Sequence, residues 1–238
     1  MKFTLIGDGK IAVRHREAIK NNGGEIVAVH DPKYGSDSVS LEDKLFLDSD
    51  YVIICSPSFM HREHINYALK HDKRIIVEKP MVLPWEPMVD DNRINVVLQL
   101  RWIDLPEKAS VVKSVMSRNA DYFKSWEGNA KFTGGLFYHL FIHYIDLAIK
   151  LNARFEGTII PEGPQIRCID DLDIMKLDMN MLYTKMYNDI INNDLGVKPF
   201  ELYYVHWVLE KCGWKYGING NDLMNKKLTI DFSNGINI

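Results

Sequence analysis

Apolar and polar residues alternate in blocks along the N-terminal part of the chain, and the blocks predict strands and helices in turn. Strands are expected at Phe3–Ile6, Ile26–Val29, Tyr51–Cys55, Arg74–Val77 and Ile94–Leu100. Apolar residues at helical spacing predict helices over residues 10–21 and 60–70. Several strands are apolar throughout, which is typical of strands buried on both faces of a parallel sheet. The alternation therefore predicts a doubly wound α/β sheet.

The pattern changes after Leu105-Pro106, and we place a domain boundary there, with residues 1–104 before it and residues 105–238 after it. We expect a helix over Lys108–Arg118, an extended segment over 119–132 and a long helix over Leu136–Leu151. The elements expected further along are strands within 154–170, helices at about 175–193 and 200–212, and a final strand at Lys227–Phe232. The second part is thus predicted to be a second α/β domain.

Composition narrows the class of protein. The 238 residues include 29 Lys+Arg and 32 Asp+Glu, and 46% are hydrophobic, which is typical of a globular chain and gives no basic footprint for nucleic acid. No apolar run approaches the ~20 residues of a membrane span, and the N-terminal apolar run ends too soon for a signal peptide. Cys55, Cys168 and Cys212 form no metal spacing and no disulfide framework. We therefore expect a cytoplasmic protein that binds neither nucleic acid nor membrane.

A dinucleotide signature follows the first predicted strand. Gly7, Gly9 and Ala12 form G-x-G-x-x-A at the start of the first helix, where a tight turn and a free helix N-terminus accommodate a pyrophosphate. Asp31 ends the second strand, where a carboxylate holds the adenosine ribose and repels a 2′-phosphate. The signature predicts NAD rather than NADP. A glycine turn in an α/β protein without nucleotide is the alternative.

Two further strand ends belong to the same predicted edge of the sheet, where doubly wound folds bind ligands. Cys55-Ser56-Pro57 ends one strand, and its backbone is expected to contact the cofactor or, alternatively, to form only a helix cap and turn. Glu78-Lys79-Pro80 ends the next strand. A partly desolvated lysine there can donate or accept a proton, whereas an isolated lysine is more often a solvated surface charge.

The long helix after Gly134-Gly135 carries ionisable residues on one face. His139, His143 and Asp146 fall at i, i+4 and i+7 of an otherwise apolar helix, where burial is costly unless the groups have a function. The same three could ligate a metal, but they lack the glutamate of the H-E-x-x-H motif. We predict no metal.

In these motifs the chain resembles the glucose–fructose oxidoreductase/inositol dehydrogenase (Gfo/Idh/MocA) family. The resemblance rests on the G-x-G-x-x-A run, Glu78-Lys79-Pro80, and Gly134-Gly135 followed by His143-x-x-Asp146, in that order. A narrower resemblance is to bacterial UDP-2-acetamido-2-deoxyglucuronate 3-dehydrogenases of surface-polysaccharide pathways. It rests on five runs: Ile11-Ala12-x-Arg14-His15, Cys55-Ser56-Pro57, Glu78-Lys79-Pro80-Met81-Val82-Leu83-x-Trp85, Leu98-Gln99-Leu100-Arg101 and Tyr183-x-x-Met186-Tyr187-x-Asp189-Ile190. The resemblance implies a Rossmann domain followed by an α/β domain with an open, mostly antiparallel sheet.

The resemblance also implies roles for particular residues. Lys79 is the active-site lysine, His143 exchanges a proton with the reacting hydroxyl, and Asp146 supports the site. Substrate is contacted by Lys79, Gln99, Arg101, His139 and His143, with the fork of Arg101 suited to a uronate carboxylate. The cofactor is contacted by Gly7, Gly9, Lys10, Ile11, Ala12, Asp31, Cys55, Ser56, Pro57, His61, Glu78 and Lys79.

The function implied is NAD-dependent oxidation of C3 of a UDP-N-acetylhexosaminuronate-like sugar nucleotide, whose 3-keto product an aminotransferase then aminates. A homo-oligomer through the C-terminal sheet is also implied. Two alternatives stay open: a family dehydrogenase acting on a free sugar or polyol, and a non-catalytic NAD-bound scaffold. The scaffold alternative is motivated by two positions and by the shortness of the sheet domain. The family usually has Asp or Asn at the position of His139 and glycine at the position of Phe141.

Overall fold

Residues 1–32, 41, 47–216, 225 and 227–233 are described by the computed structural model of the chain, with the side chains of 212–216 left aside. The chain forms two units that interleave along the sequence. The first comprises Met1–Val82, Met88–Trp102 and Asp178–Glu201, and the second Leu83–Pro87, Ile103–Leu177 and Leu202–Ile238. The predicted boundary near residue 104 divides the chain into two consecutive segments, whereas each of these units combines several segments. The predicted boundary stays a prediction.

The first unit is built on a parallel sheet. Its strands are β1 (Lys2–Ile6), β2 (Glu25–His30), β3 (Tyr51–Ile54), β4 (Arg74–Val77) and β5 (Ile94–Val96), in the order β2-β1-β3-β4-β5. All four strand pairs are parallel. Helix α1 (Ala12–Asn21) connects β1 to β2, and α2 (His61–Lys70) connects β3 to β4. This confirms the doubly wound α/β sheet, since β3 and β4 are buried almost throughout, as parallel pairing under helices requires.

The fifth strand is shorter than its apolar run. We predicted a strand over Ile94–Leu100, but β5 ends at Val96 and a turn of 3₁₀ helix covers Gln99–Trp102. Val97 and Leu98 are nonetheless fully buried. The apolar run therefore reflects burial of the segment that follows the strand rather than further pairing.

A helix from late in the sequence completes the first unit. The Asp178 side chain accepts hydrogen bonds from the backbone N–H groups of Asn180 and Met181, and it caps α6, which spans Met179–Asn193. The predicted helix at about 175–193 thus begins a few residues late. Its buried face joins the same core cluster as β1 and α1, through Tyr183, Met186, Tyr187 and Ile190. Sequence-distant residues therefore stabilise the N-terminal sheet.

The second unit contains a mixed sheet of the predicted kind. Its strands are β6 (Val111–Ser117), β7 (Arg154–Ile160), β8 (Ile166–Ile169), β9 (Leu172–Asp173) and β10 (Lys227–Asp231), in the order β10-β7-β6-β8-β9. Only β6 and β7 pair in parallel among these described strands, so the sheet is mostly antiparallel. Its helices are α3 (Ala120–Lys124), α4 (Ala130–Thr133), α5 (Leu136–Lys150) and α7 (Tyr203–Tyr216). No helix in the described ranges is both long and apolar enough to cross a membrane.

Two predictions in the second unit were wrong. Lys108–Arg118 was expected to be helical, but Val111–Ser117 is β6, whose alternate residues are buried. Residues 119–132 were expected to be extended, but they form short helical turns. The side chains of Asn119 and Asn129 accept backbone N–H bonds and cap α3 and α4. The neighbouring prediction of a long helix after Gly135 is confirmed by α5.

Candidate functional site

The loop after β1 is pressed against the end of β3. Gly7 adopts a φ of 91°, and a Cβ atom placed on it would lie 2.7 Å from the Ser56 nitrogen and 2.8 Å from the Cys55 carbonyl carbon. A side chain fits neither this backbone conformation nor this space. Glycine at position 7 thus sets the close approach of the two strand ends.

The next glycine of the loop faces open space. A Cβ atom on Gly9 would meet nothing within 4 Å. The helix that follows has Ile11 at its N-cap, no side-chain cap and no acidic residue in its first turn, while Lys10 is exposed and Ala12 is buried. Such a helix N-terminus presents N–H donors and a positive dipole end to an anion. The loop therefore fits a pyrophosphate.

Asp31 closes the loop from the end of β2. Its Oδ2 accepts a hydrogen bond from the Asp8 backbone N–H at 2.6 Å. The Asp8 side chain in turn accepts two hydrogen bonds from Arg16 of α1, at 2.9 and 2.7 Å. The loop is thus held by charged groups on both sides, and a carboxylate stands at the strand end where an adenosine ribose binds in dinucleotide folds.

Histidines hold the segment that follows β3. His61 is buried, and its ring nitrogens lie 2.7 Å from the Pro80 carbonyl oxygen and 2.8 Å from that of Ser56. His64 Nδ1 lies 2.9 Å from the Ser56 hydroxyl. Burial lowers the pKa of His61, and burial together with the charges of His61 and His30 lowers the pKa of His64 to about 4. The rings tie Cys55-Ser56-Pro57 to the residues after β4.

Glu78 is the centre of a buried hydrogen-bond network. Its Oε1 lies 3.1 Å from Nε2 of His15 on α1 and accepts a bond from the Tyr183 hydroxyl of α6 at 2.7 Å. Nδ1 of His15 lies 2.6 Å from the Tyr187 hydroxyl. The His15 ring therefore bridges the Tyr187 hydroxyl and the Glu78 carboxylate. The network joins two helices to the end of β4.

The same carboxylate touches the backbone of the predicted catalytic lysine. Glu78 Oε2 accepts a hydrogen bond from the Lys79 backbone N–H at 3.2 Å. Burial raises the pKa of Glu78, but the bond and charge of His15, the charge of Lys79 and the Tyr183 bond outweigh it and lower the pKa to about 2. Glu78 is therefore a fixed negative charge beside Lys79.

The segment after β5 carries the two remaining first-unit residues of the prediction. Gln99 is half-buried, and its Oε1 accepts no hydrogen bond from the described residues. Arg101 Nη1 donates to Glu201 Oε2 at 2.6 Å, and the Arg101 side chain is 10% exposed. The other Glu201 oxygen accepts the Lys198 N–H at 2.9 Å. Arg101 is thus already paired with a carboxylate of the same unit.

In the second unit, α5 carries the other predicted site residues. His139 and His143 are half-buried and Asp146 is buried, and their spacing within one continuous helix places them on one face. The Trp126 ring packs edge-on to His139, with ring centroids 6.1 Å apart. The roles of these residues stay predictions.

Within the first unit, two of the predicted cofactor segments meet where Gly7 lies against the backbone of Cys55 and Ser56. Burial raises the pKa of the Cys55 thiol, with the charges of Glu78 and Asp8 adding to the rise. Sequence reasoning missed His15, Tyr183, Tyr187 and Glu201 as partners of site residues. His15, Tyr183 and Tyr187 stand in runs quoted for the resemblance, but nothing in one sequence indicates which residue each one contacts.

Family models match both units of the chain. The model described as the NAD-binding Rossmann fold of the oxidoreductase family GFO_IDH_MocA covers residues 1–90, and that of its C-terminal alpha/beta domain covers residues 109–153. The chain belongs to the Gfo/Idh/MocA family. It is an oxidoreductase of that family, and its cofactor is NAD. The open glycine loop and uncapped α1 fit that cofactor in this structure.

Several known proteins are similar to this one over most of the chain. Glucose-6-phosphate 3-dehydrogenase of Bacillus subtilis is 25% identical, over 92% of this chain and 72% of its own length. The WlbA (WbpB) dehydrogenase of Thermus thermophilus, solved with NAD and UDP-GlcNAcA, superposes with a TM-score of 0.70 at 23% identity, covering 89% of this chain and 94% of that one. UDP-N-acetylglucosamine 3-dehydrogenase GnnA of Acidithiobacillus ferrooxidans gives 0.63 at 12%, covering 89% and 96%. These superpositions confirm the fold.

Proposed function

We propose that this NAD-dependent dehydrogenase oxidises C3 of a UDP-N-acetylhexosaminuronate-like sugar nucleotide. The product would be a 3-keto sugar nucleotide, which an aminotransferase converts further. Two of the similar proteins are named for oxidation at position 3, and one was solved with a UDP-sugar acid. Those names support the substrate class of the proposal. The support for hydroxyl oxidation comes from residues of this chain.

The observation that carries the proposal is the fixed environment of Lys79. Its backbone N–H is bonded to Glu78, which His15 and Tyr183 hold in place from two helices. A buried carboxylate network that fixes the backbone of a lysine at the carboxyl edge of a nucleotide-binding sheet is typical of a preorganised catalytic group. A solvated surface lysine has no such support.

Proton transfer is assigned to Lys79 and His143. His143 takes the proton of the reacting hydroxyl, with Lys79 holding the oxygen by a hydrogen bond as charge develops there. When bound, NAD accepts the hydride that leaves the ring carbon. Asp146, buried one turn further along α5, orients the histidine. Gln99, Arg101 and His139 are proposed to contact the sugar.

The test is the formation of reduced nicotinamide, followed by absorbance, with a panel of UDP-sugars, sugar phosphates, free sugars and polyols. We expect turnover with UDP-GlcNAcA or a close UDP-sugar, and none in Lys79→Ala or His143→Asn, with NAD still bound to both variants. Lys176→Ala, an exposed lysine that pairs with Asp173, is the control and should keep wild-type turnover. Turnover with free sugars alone would indicate the polyol or sugar dehydrogenase, and no reduction by any compound would favour the scaffold.

A further inference from the structure

The glycine loop of the first unit carries a carboxylate that is paired with an arginine. Asp8 stands between Gly7 and Gly9. Its Oδ1 accepts a hydrogen bond from Nε of Arg16 at 2.9 Å, and its Oδ2 accepts one from Nη2 at 2.7 Å. Two parallel bonds from a guanidinium to both oxygens of a carboxylate are the strongest geometry for such a pair. Asp8 therefore fixes the direction in which Arg16 of α1 points its donors.

Asp8 also connects this arginine to the end of β2. The Asp8 backbone N–H donates to Asp31 Oδ2 at 2.6 Å. In dinucleotide folds an acid at this strand end holds the 2′-hydroxyl of the adenosine ribose, whereas an arginine close to it accommodates the 2′-phosphate of NADP. The loop thus contains both kinds of residue, and Asp8 lies between them.

The pairing decides which charge an incoming cofactor meets. While the pair is formed, the charges of Asp8 and Arg16 cancel, and the charge of Asp31 acts alone on a 2′-phosphate. Without the Asp8 carboxylate, the guanidinium would offset Asp31, and its planar fork would be open to phosphate oxygens. Without Arg16, the charge of Asp8 would add to that of Asp31. The two partners therefore have opposite effects on the binding of NADP.

We infer that Asp8 is a second residue that selects NAD over NADP, and that it acts by occupying the Arg16 guanidinium. Asp31 repels a 2′-phosphate directly, and Asp8 prevents Arg16 from attracting one. The inference concerns the cofactor alone and is independent of the sugar that the enzyme oxidises.

The test is the ratio of the Kd for NADPH to the Kd for NADH, measured by fluorescence titration of the full-length protein. The wild type is expected to bind NADH more tightly. Asp8→Ser removes the carboxylate that holds Arg16, and we expect the ratio to fall about 10-fold, as one unit charge near a phosphate requires. Arg16→Gln should raise the ratio several-fold and weaken both cofactors, because an unpaired Asp8 repels their phosphates.

The double variant Asp8→Ser/Arg16→Gln separates the proposed mechanism from a direct effect of Asp8. It lacks both charges, as the neutral pair does in effect, so its ratio should return towards that of the wild type. A fall that persists in the double variant would show that Arg16 takes no part, and it would overturn the inference. A wild type that binds NADPH as tightly as NADH would overturn it as well.

A matched control comes from the other edge of the same sheet. Asp91 forms the same two-bond pair with Arg93, at 2.9 and 2.7 Å, directly before β5 begins. Asp91→Asn breaks a pair of equal geometry away from the glycine loop, and it should keep the wild-type ratio.

A second substitution covers a loss of folding in Asp8→Ser. Asp8→Asn keeps an oxygen that accepts one of the two arginine bonds, so it should lower the ratio by a smaller factor. An unchanged ratio in both Asp8 variants would overturn the inference. Loss of NADH binding in both would also overturn it, because Asp8 would then be needed for the cofactor as a whole.

Discussion

The Tyr183 hydroxyl donates a hydrogen bond to the Glu78 carboxylate at 2.7 Å, although the two residues lie 105 positions apart in the sequence. Tyr183 belongs to α6, and Glu78 follows β4 directly before Lys79. A helix formed late in the chain thereby fixes the charge beside the candidate catalytic lysine. Changes in α6 should therefore affect both the stability of the first unit and the lysine.

Tyr183→Phe is expected to destabilise the protein by about 1–3 kcal/mol, because it removes one donor from a buried carboxylate. The measurement is the free energy of unfolding in urea at neutral pH. Tyr203→Phe, at an exposed tyrosine of α7, is the control and should stay within about 0.5 kcal/mol of the wild type. Equal values for the two variants would show that the Glu78 bond contributes nothing.

Acid should weaken the first unit through His64. Its folded pKa of about 4 lies below the ordinary 6.5, so the neutral form stabilises the fold above pH 6.5 and this contribution is lost as pH falls towards 4. We expect the wild type to lose about 1–2 kcal/mol between pH 7 and pH 5 from this group. His64→Gln should lose correspondingly less over that interval and run parallel to the wild type above pH 7. Parallel curves throughout would contradict the assignment.

The sheet of the first unit was predictable because its signals are local. Each strand is an apolar run, and the glycine loop and Asp31 lie within one βαβ unit. In β6 the signal was concealed, because the fully buried Ser114 interrupts the alternation of Val112 and Met116. The remaining valines and the methionine then matched a helical period. The β-branched content of this segment was the better guide.

The candidate site was predictable only in part, for a similar reason. The residues of one motif stand close together in the sequence, so Gly7, Lys79 and His143 could be named from their motifs. The hydrogen-bond partners of site residues are distant in the sequence. Glu201 lies 100 positions from Arg101, and Tyr183 lies 105 positions from Glu78. Hydrogen bonds at such separations depend on packing that one sequence does not specify.

Asp31 should determine the choice between NAD and NADP. Asp31→Asn keeps an oxygen for the Asp8 N–H but removes the charge that repels a 2′-phosphate. We expect the ratio of the Kd for NADPH to that for NADH to fall about 10-fold. Fluorescence titration of each reduced cofactor measures it. Glu25→Gln, at the exposed start of β2, is the control and should leave the ratio unchanged. An unchanged ratio in Asp31→Asn would show that other residues discriminate between NAD and NADP.

Glu201 should limit how well Arg101 recognises a uronate. The substrate carboxylate must compete with Glu201, which already lies 2.6 Å from the guanidinium. Glu201→Gln is expected to lower the KM for UDP-GlcNAcA several-fold relative to that for UDP-GlcNAc, since the neutral amide binds arginine more weakly. Steady-state kinetics with both sugars measure the ratio. An equal change for both would mean that Arg101 does not contact the carboxylate.

The central step of the proposed function is the transfer of hydride from C3 of a sugar nucleotide to NAD. The direct measurement is a single turnover of the NAD-loaded protein with UDP-GlcNAcA that carries deuterium at C3, with mass analysis of the cofactor. The proposed function predicts deuterium in the reduced nicotinamide for the wild type and none for Lys79→Ala, which still binds NAD. Reduced cofactor without deuterium, or no reduced cofactor from the wild type, would contradict it.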